Sequence, residues 1–265
     1  MADEYIVLIP AYNVSLVDVK KTFQSLDYQS NILVIDDGSD IPFVELIGDN
    51  FNHFINLDVK RLEENKGIEF ALNYGLSMIV TKYNYIARLD IGDYSSPERF
   101  SLQVEYLREN SEVVLVGTWA RFIDSTGEEL FISKVPTNDS DIRKRMYINN
   151  MFIHPSVMMR ASALVNISGY STEYIACEDY ELFFRLMNKG RVANLPKVLL
   201  DYEVNYSSIS SSKRNKQLTN RLRLIIKNFK FIEYGVYPYY GVVRNLLMFF
   251  VNRNMTTKIR SILKK

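Results

Sequence analysis

Short apolar runs alternate with amphipathic stretches through the first half of the chain. YIVLIPAYN (residues 5–13) and NILVIDDGSD (31–40) are β-rich apolar runs that each end in turn-forming residues, and LVDVKKTFQSL between them carries apolar positions at helical spacing. That is a strand–helix–strand unit. Further along, EFALNYGLSMIV predicts a helix, YNYIARLD a strand, and SPERFSLQVEYLREN a helix with Ser96 as its cap and Pro97 at its first position. Strands alternating with helices predict an α/β fold, a mostly parallel sheet with helices on both faces. Ligands bind beyond the carboxyl ends of the strands in such sheets. Three predicted strand ends carry polar groups: Tyr12 and Asn13, then Asp36 to Ser39, then the stretch from Asp90 to Asp93. All three converge on one expected crevice.

The second half has a different rhythm. EVVLVGTWARFID and EELFISKVP, separated by STG, predict a hairpin; HPSVMMR is a further strand; CEDYELFFRLMNKG is an amphipathic helix with acids at its N-terminus. RVANLPKVLLDYEV supplies one or two more strands, and after the polar NYSSISSSKRNKQ the pattern turns helical from about residue 216 onward. No internal repeat or long linker divides the chain. The expected organisation is one domain over residues 1–212, with a nucleotide-binding half (1–110) and an acceptor-binding half (111–212), followed by a helical extension (213–265).

Composition sharpens this only in places. At 265 residues, 47% of them hydrophobic, the chain is long enough to bury one substantial core. The first residues, MADEYIVLIPAYN, have acids before a short apolar run and no basic segment, which argues against a signal peptide or anchor there. A lone cysteine, Cys177, excludes an internal disulfide and a cysteine-based zinc site. The expected location is the cytoplasm. Charge is unevenly spread: thirteen of the 32 Lys and Arg but only one of the 31 acids, Glu233, lie from Lys213 onward. A basic tail suits an anionic lipid surface, a nucleic acid or a pyrophosphate-bearing substrate, or is a solvated helical face. The acidic body and the absence of a recognisable reading motif argue against a nucleic-acid partner.

The motifs IPAYN, VIDDGSD, ENKGIEFALNYGL, ARLD..D...PERF..Q...L, HPSVMMR, SGY and CEDYELFFRL, in this order, resemble the inverting GT-A glycosyltransferases of family 2 over roughly residues 5–205. The resemblance implies a Rossmann-like GT-A fold and a nucleotide-sugar donor. It makes Pro10, Tyr12 and Asn13 contacts for the base and ribose, gives Asp37 the imide N–H of uracil or thymine, and places Lys66 by a phosphate. On its own the DDGS stretch is equally an Asx-type turn, and Lys66 equally a solvated loop lysine. Asp90 would meet the ribose or metal region, and Asp90 with Asp93 would hold a divalent cation, Mg²⁺ or Mn²⁺. The family usually has an Asp where this chain has Gly92. Either Asp93 takes over the metal through the glycine turn, or cation binding is weaker, or the leaving diphosphate is stabilised by protein cations.

For the acceptor, the resemblance makes Asp179 the general base of an in-line displacement, with Glu178 positioning the acceptor; the bland alternative is acidic capping of a helix. His154 lines the acceptor side or is structural. Trp119 faces the sugar or belongs to the core. Tyr202 is followed by Glu203, and Asn205 stands where the family often has a basic residue. The tail EYGVYPYYGVVRNLLMFFVNRNMTTKIRSILKK is too interrupted to span a membrane. It lies on an anionic lipid surface, contacts a second copy, or packs internally. A lipid-facing tail would suit an acceptor on a lipid pyrophosphate, as in O-antigen or capsule assembly. The rival reading is a nucleotide-sugar-binding subunit that has lost catalysis, motivated by Gly92.

Overall fold

The protein is described from a computed structural model, which covers residues 4–165, 167–204 and 214–250. The strands are β1 (Tyr5–Ala11), β2 (Ile32–Asp36), β3 (Leu57–Arg61), β4 (Tyr85–Arg88), β5 (Tyr94–Ser95), β6 (Val113–Ile123), β7 (Glu129–Ser133), β8 (Met158–Arg160) and β9 (Arg191–Glu203). The helices are α1 (Leu16–Phe23), α2 (Phe43–Ile47), α3 (Ile68–Ile79), α4 (Arg99–Glu109), α5 (Asp139–Arg145), α6 (Ala161–Val165), α7 (Glu178–Met187), α8 (Arg214–Lys227) and α9 (Tyr237–Met248).

One sheet runs through the whole body in the order β3-β2-β1-β4-β8-β6-β9-β5, with β7 on β6. The first four strands are parallel, as the alternating pattern predicts. Beyond them the sheet becomes mixed: β9 runs parallel to β6, and the remaining pairings are antiparallel. β8 runs antiparallel between β4 and β6, β5 is antiparallel to β9, and the β6–β7 hairpin is antiparallel by construction. Antiparallel neighbours need no crossover helix, so β7 follows β6 directly, whereas the parallel β6–β9 pair is joined through the chain that carries α5, α6 and α7.

β1 is apolar throughout because both its faces are covered. Ile6 and Leu8 join Leu33 and Ile35 against Leu72 and Leu76 of α3 and Phe183 of α7 on one side. Val7 and Ile9 join Ile32 and Val34 against Val19 and Phe23 of α1 and Val104 of α4 on the other. Each such side chain contributes about 1.5–3 kcal/mol on burial. Residue 75 is glycine because a Cβ there would sit 2.5 Å from Leu8 Cδ1, so α3 rides directly on the sheet.

Two local expectations change. α4 begins at Arg99, not at Pro97, and Ser96 caps nothing with its side chain. The Ser96 N–H bonds Leu199 O at 3.0 Å, which holds the residue in extended geometry beside β9, and its carbonyl instead accepts from Arg99 N at 3.0 Å. The C-terminal extension packs on its own chain. Tyr147 Oη donates to Asn228 O at 2.5 Å, Asn220 Nδ2 to Ile175 O at 3.0 Å, and Gly241 lies so close to the Tyr147 carbonyl that a Cβ would come within 2.2 Å of it. The outer surface of the same segment stays apolar and open, with Ile232 90% and Phe250 88% exposed.

Candidate active site

The strand order places the ends of β2, β1 and β4 side by side, so the three polar clusters do meet. At the end of β2, Asp36 is a structural pivot. Its carboxylate accepts from Ser39 N (2.9 Å), Phe43 N (3.0 Å) and Arg61 (2.6 Å). Burial would raise its pKa, but these donors more than offset that and hold it below the usual range. Asp37 is equally engaged: one oxygen accepts from Lys66 N and the other from Gly67 N, both at 2.9 Å. Burial nonetheless leaves its pKa raised. Gly38 follows at φ +69°, and a Cβ there would approach Glu64 C to 2.5 Å. The turn and the 64–67 loop therefore touch backbone to backbone, a contact only glycine permits. Each Asp37 oxygen keeps a further lone pair for a ligand.

The other donor-side residues frame this turn. Asn13, at φ +47°, takes Ser39 Oγ with its N–H (3.0 Å) and exchanges side-chain and backbone bonds with Asp40. Pro10 pairs opposite Ile35, one residue before the paired part of β1 ends at Ala11. Tyr12 is 49% exposed, free to lie along a planar ligand. Lys66 Nζ stands 3.8 Å from Glu64 in open solvent, a loose surface pair.

The stretch that begins at Asp90 is built on a buried charge. Arg88 is wholly shielded from solvent, and its guanidinium bonds Leu89 O and, at 2.5 Å, Asp90 Oδ1. The turn that follows is pinned by Thr22 of α1, whose hydroxyl donates to Asp93 O (2.9 Å) and accepts from Gly92 N (2.8 Å). Asp93 is 4% exposed; its Oδ1 accepts from Glu203 N at 3.0 Å, and its Oδ2 is buried without a partner. Burial first, and then the charge of Asp90, push its pKa well above the carboxylate range. Arg99 lies behind, fully buried, with one guanidinium nitrogen on Arg88 O and Nε on Gln103; burial pulls its pKa to about 9, which leaves it protonated at neutral pH and facing Asp93.

These groups bear on the expected cation. Among the described residues no cluster of three or more His, Cys, Asp or Glu side chains surrounds a common metal position. Two carboxylates that sense each other, one with an unpartnered oxygen, fit a hard cation that takes its remaining ligands from a diphosphate and water. Gly92, at φ +99°, has open space where a Cβ would project. The position where the family carries an acid therefore faces a void and not a packed wall.

The second pair of acids opens α7. Asp179 Oδ2 accepts from Asn150 Nδ2 (2.8 Å), and Oδ1 from Tyr180 N (2.7 Å). Glu178 is buried with Oε2 unpartnered. Burial and then the charge of Asp179 push Glu178 up to about 8; burial also raises Asp179, against the pull of its hydrogen bonds. His154 meets Tyr170 Oη at 2.9 Å, and Tyr170 is fixed by Asn73, which bonds both its N–H and its carbonyl. Burial, then Arg88, hold His154 well below its usual pKa and hence neutral. Trp119 is anchored elsewhere: its indole N–H donates to Val135 O and Lys134 lies over its ring, 5.5 Å from the centroid. Tyr202 packs its ring on Phe122, and Asn205 lies outside the described residues.

Arg88 ties the two sides together. Its charge is felt by Asp93, His154, Tyr170, Glu178 and Tyr202 while it bonds Asp90. Sequence reasoning missed it, although an arginine inside the apolar run YNYIARLD was the available signal. It also missed Asn150, which nothing in the pattern marks. The result is a buried guanidinium with two acids after β4 and two at the start of α7 within reach of its charge.

Residues 6–167 match the sequence profile described as Glycosyl transferase family 2. The amylovoran biosynthesis glycosyltransferase AmsE of Erwinia amylovora is 29% identical over 242 residues, spanning 87% of this chain and 90% of that protein. The UDP-Gal:alpha-D-GlcNAc-diphosphoundecaprenol beta-1,3-galactosyltransferase of Escherichia coli is 25% identical over 236 residues, 88% of this chain and 83% of that protein. Among solved structures, S. aureus TarS 1–349 in complex with UDP-GlcNAc matches with a TM-score of 0.69 over 92% of this chain and 71% of that one, at 16% identity. The expected GT-A fold is the one observed.

Proposed function

The chain belongs to glycosyl transferase family 2 and is a sugar-transferring enzyme, and on that premise we propose that it moves a sugar from a UDP- or dTDP-sugar to a hydroxyl of a growing glycan in bacterial surface-polysaccharide synthesis. The observation that carries this reading is the pair of acid sites gathered about Arg88. The acceptor is a lipid-diphosphate-linked saccharide, a reading supported by the name of the Escherichia coli relative and by the apolar, basic extension.

The residues divide the work. The 1–110 half holds the nucleotide: Tyr12 lies along the base, a spare lone pair of Asp37 accepts its imide N–H, Pro10 and Asn13 shape the rim, and Lys66 swings to a phosphate. Asp90 meets the ribose side of the diphosphate. Asp90 and the free oxygen of Asp93 would hold Mn²⁺ or Mg²⁺, which when bound neutralises charge on the leaving diphosphate. In the 111–212 half, Asp179 takes the proton of the acceptor hydroxyl as that oxygen attacks the anomeric carbon. The bond from carbon to diphosphate oxygen breaks with its electron pair leaving on the diphosphate, which inverts the centre. Glu178, protonated near neutral pH by its raised pKa, donates a hydrogen bond to the acceptor. His154, neutral, borders the acceptor; Trp119, its N–H already engaged, offers only a ring face.

The open position at Gly92 favours a second reading, a donor-binding subunit without turnover; sugar transfer by the purified chain excludes it. The donor reading is tested by titration calorimetry with UDP and dTDP, each with Mn²⁺ and with EDTA. At least one nucleotide binds, and EDTA weakens it about tenfold or more; failure of both to bind overturns the reading, while EDTA-insensitive binding removes the cation from it.

The exposed apolar face of α9 belongs to a segment rich in Lys and Arg, and we assign it to an anionic lipid surface at the cytoplasmic side of the membrane. No helix among the described residues is long and apolar enough to cross a membrane.

A further inference from the structure

The C-terminal extension lies outside the residues matched by the family profile, yet it reaches the residues that surround Asp179 from two directions. From α8, Gln217 Nε2 donates to Ala176 O (3.2 Å), Asn220 Nδ2 to Ile175 O (3.0 Å), and Cys177 Sγ to Gln217 O (3.4 Å). These bonds hold the segment leading into α7, in which Ala176 is kept at φ +61°, a conformation that needs outside support in a residue with a side chain. From the other direction, Arg221 of α8 donates to Ile148 O (3.3 Å) and Asn149 Oδ1 (2.7 Å). Arg244 of α9 donates to the same Ile148 carbonyl at 2.9 Å. Two residues further on, Asn150 makes the 2.8 Å bond to Asp179 Oδ2.

We propose that Arg221 and Arg244 are positioning residues for sugar transfer: the extension fixes the 148–150 turn, and through Asn150 the orientation and ionisation of Asp179. The proposal rests on Asp179 being the base. Arg221 acts a second way, because its charge favours the ionised carboxylate. The titratable groups facing Asp179 are Glu178, Cys177 and Tyr180 on its own segment, Tyr170 and Tyr202 from neighbouring elements, and Arg221. Arg221 is the cation among them, and its guanidinium also lies 6.0 Å from the centroid of the Tyr180 ring.

The test is a carboxyl ¹³C NMR titration of the full chain, with the Asp179 signal assigned by its absence in Asp179→Asn, run beside transfer kinetics. In Arg221→Gln the Asp179 titration moves to higher pH, because removal of a nearby cation disfavours the carboxylate. Arg221→Lys restores the charge and returns the titration most of the way. Asn150→Ala and Arg244→Gln lower kcat about 10- to 100-fold through misplacement of the base, with donor KM unchanged. A residue that served stability alone would lower the folded fraction and leave the titration of the folded protein where it was. An unmoved Asp179 titration in Arg221→Gln, or wild-type kcat in both Arg244→Gln and Asn150→Ala, overturns the proposal. Near-normal turnover by Asp179→Asn is a separate failure, that of the base assignment.

Discussion

Arg88 and Glu178 show how much of this site depends on charges kept from water. A buried guanidinium bonded to Asp90 anchors the acids around it; taking away its carboxylate leaves the buried charge uncompensated and costs about 3–5 kcal/mol, so Asp90→Ala is a folding variant before it is a catalytic one. Glu178 has the opposite character. Its folded pKa, about 8, is raised above its unfolded value by burial and by Asp179, so its contribution to stability is fully present below the ordinary glutamate pKa and is lost as pH rises through about 8. Glu178→Gln stays neutral throughout that window. Thermal unfolding scans at pH 5 and pH 9 give a smaller loss of Tm in Glu178→Gln than in the wild type; equal losses mean that Glu178 ionises normally. Among the residues themselves, the acids were legible in the sequence because acids cluster in turns after apolar runs. Arg99 and Asn150 were not, because a buried polar side chain is explained by partners distant in sequence, such as Val157 O for Arg99 and Asp179 for Asn150.

Elements with a strong period were read correctly: β1, β2, α3, β4, the β6–β7 hairpin and α7 stand where the pattern puts them. β3, α2 and α5 escaped. β3 reads LDVKR, polar and half-exposed at the edge of the sheet, and its strand geometry is imposed by pairing with β2, a tertiary effect that local pattern does not carry. The extension combines both cases. Its helical character was legible, while the inner face was not separable from the outer one until Asn245 and Gly241 were seen buried and Leu247 and Tyr240 exposed. That outer face carries the membrane assignment. Full-length protein sediments with vesicles containing phosphatidylglycerol and not with neutral phosphatidylcholine vesicles, and added salt releases it. Concentration-dependent dimers with no vesicle binding would contradict the assignment and give the face to a second copy.

Across the whole molecule, the order of elements sets the site: three parallel strand ends side by side, then a second set of strands that carries α7. The first part followed from the alternation of strand and helix. The second did not, since β8 inserts antiparallel between β4 and β6 and no local signal orders strands in a sheet. What the arrangement claims as a unit is that donor and acceptor meet between Asp90 and Asp179. The most direct measurement is transfer from a panel of UDP- and dTDP-hexoses to a synthetic N-acetylglucosamine diphospholipid by wild type and Asp179→Asn, with UDP affinity measured on both. Asp179 as general base predicts an inverted product from the wild type and a fall of about 10²- to 10⁴-fold in Asp179→Asn with UDP binding unchanged. An Asp179→Asn enzyme that turns over near the wild-type rate would contradict it.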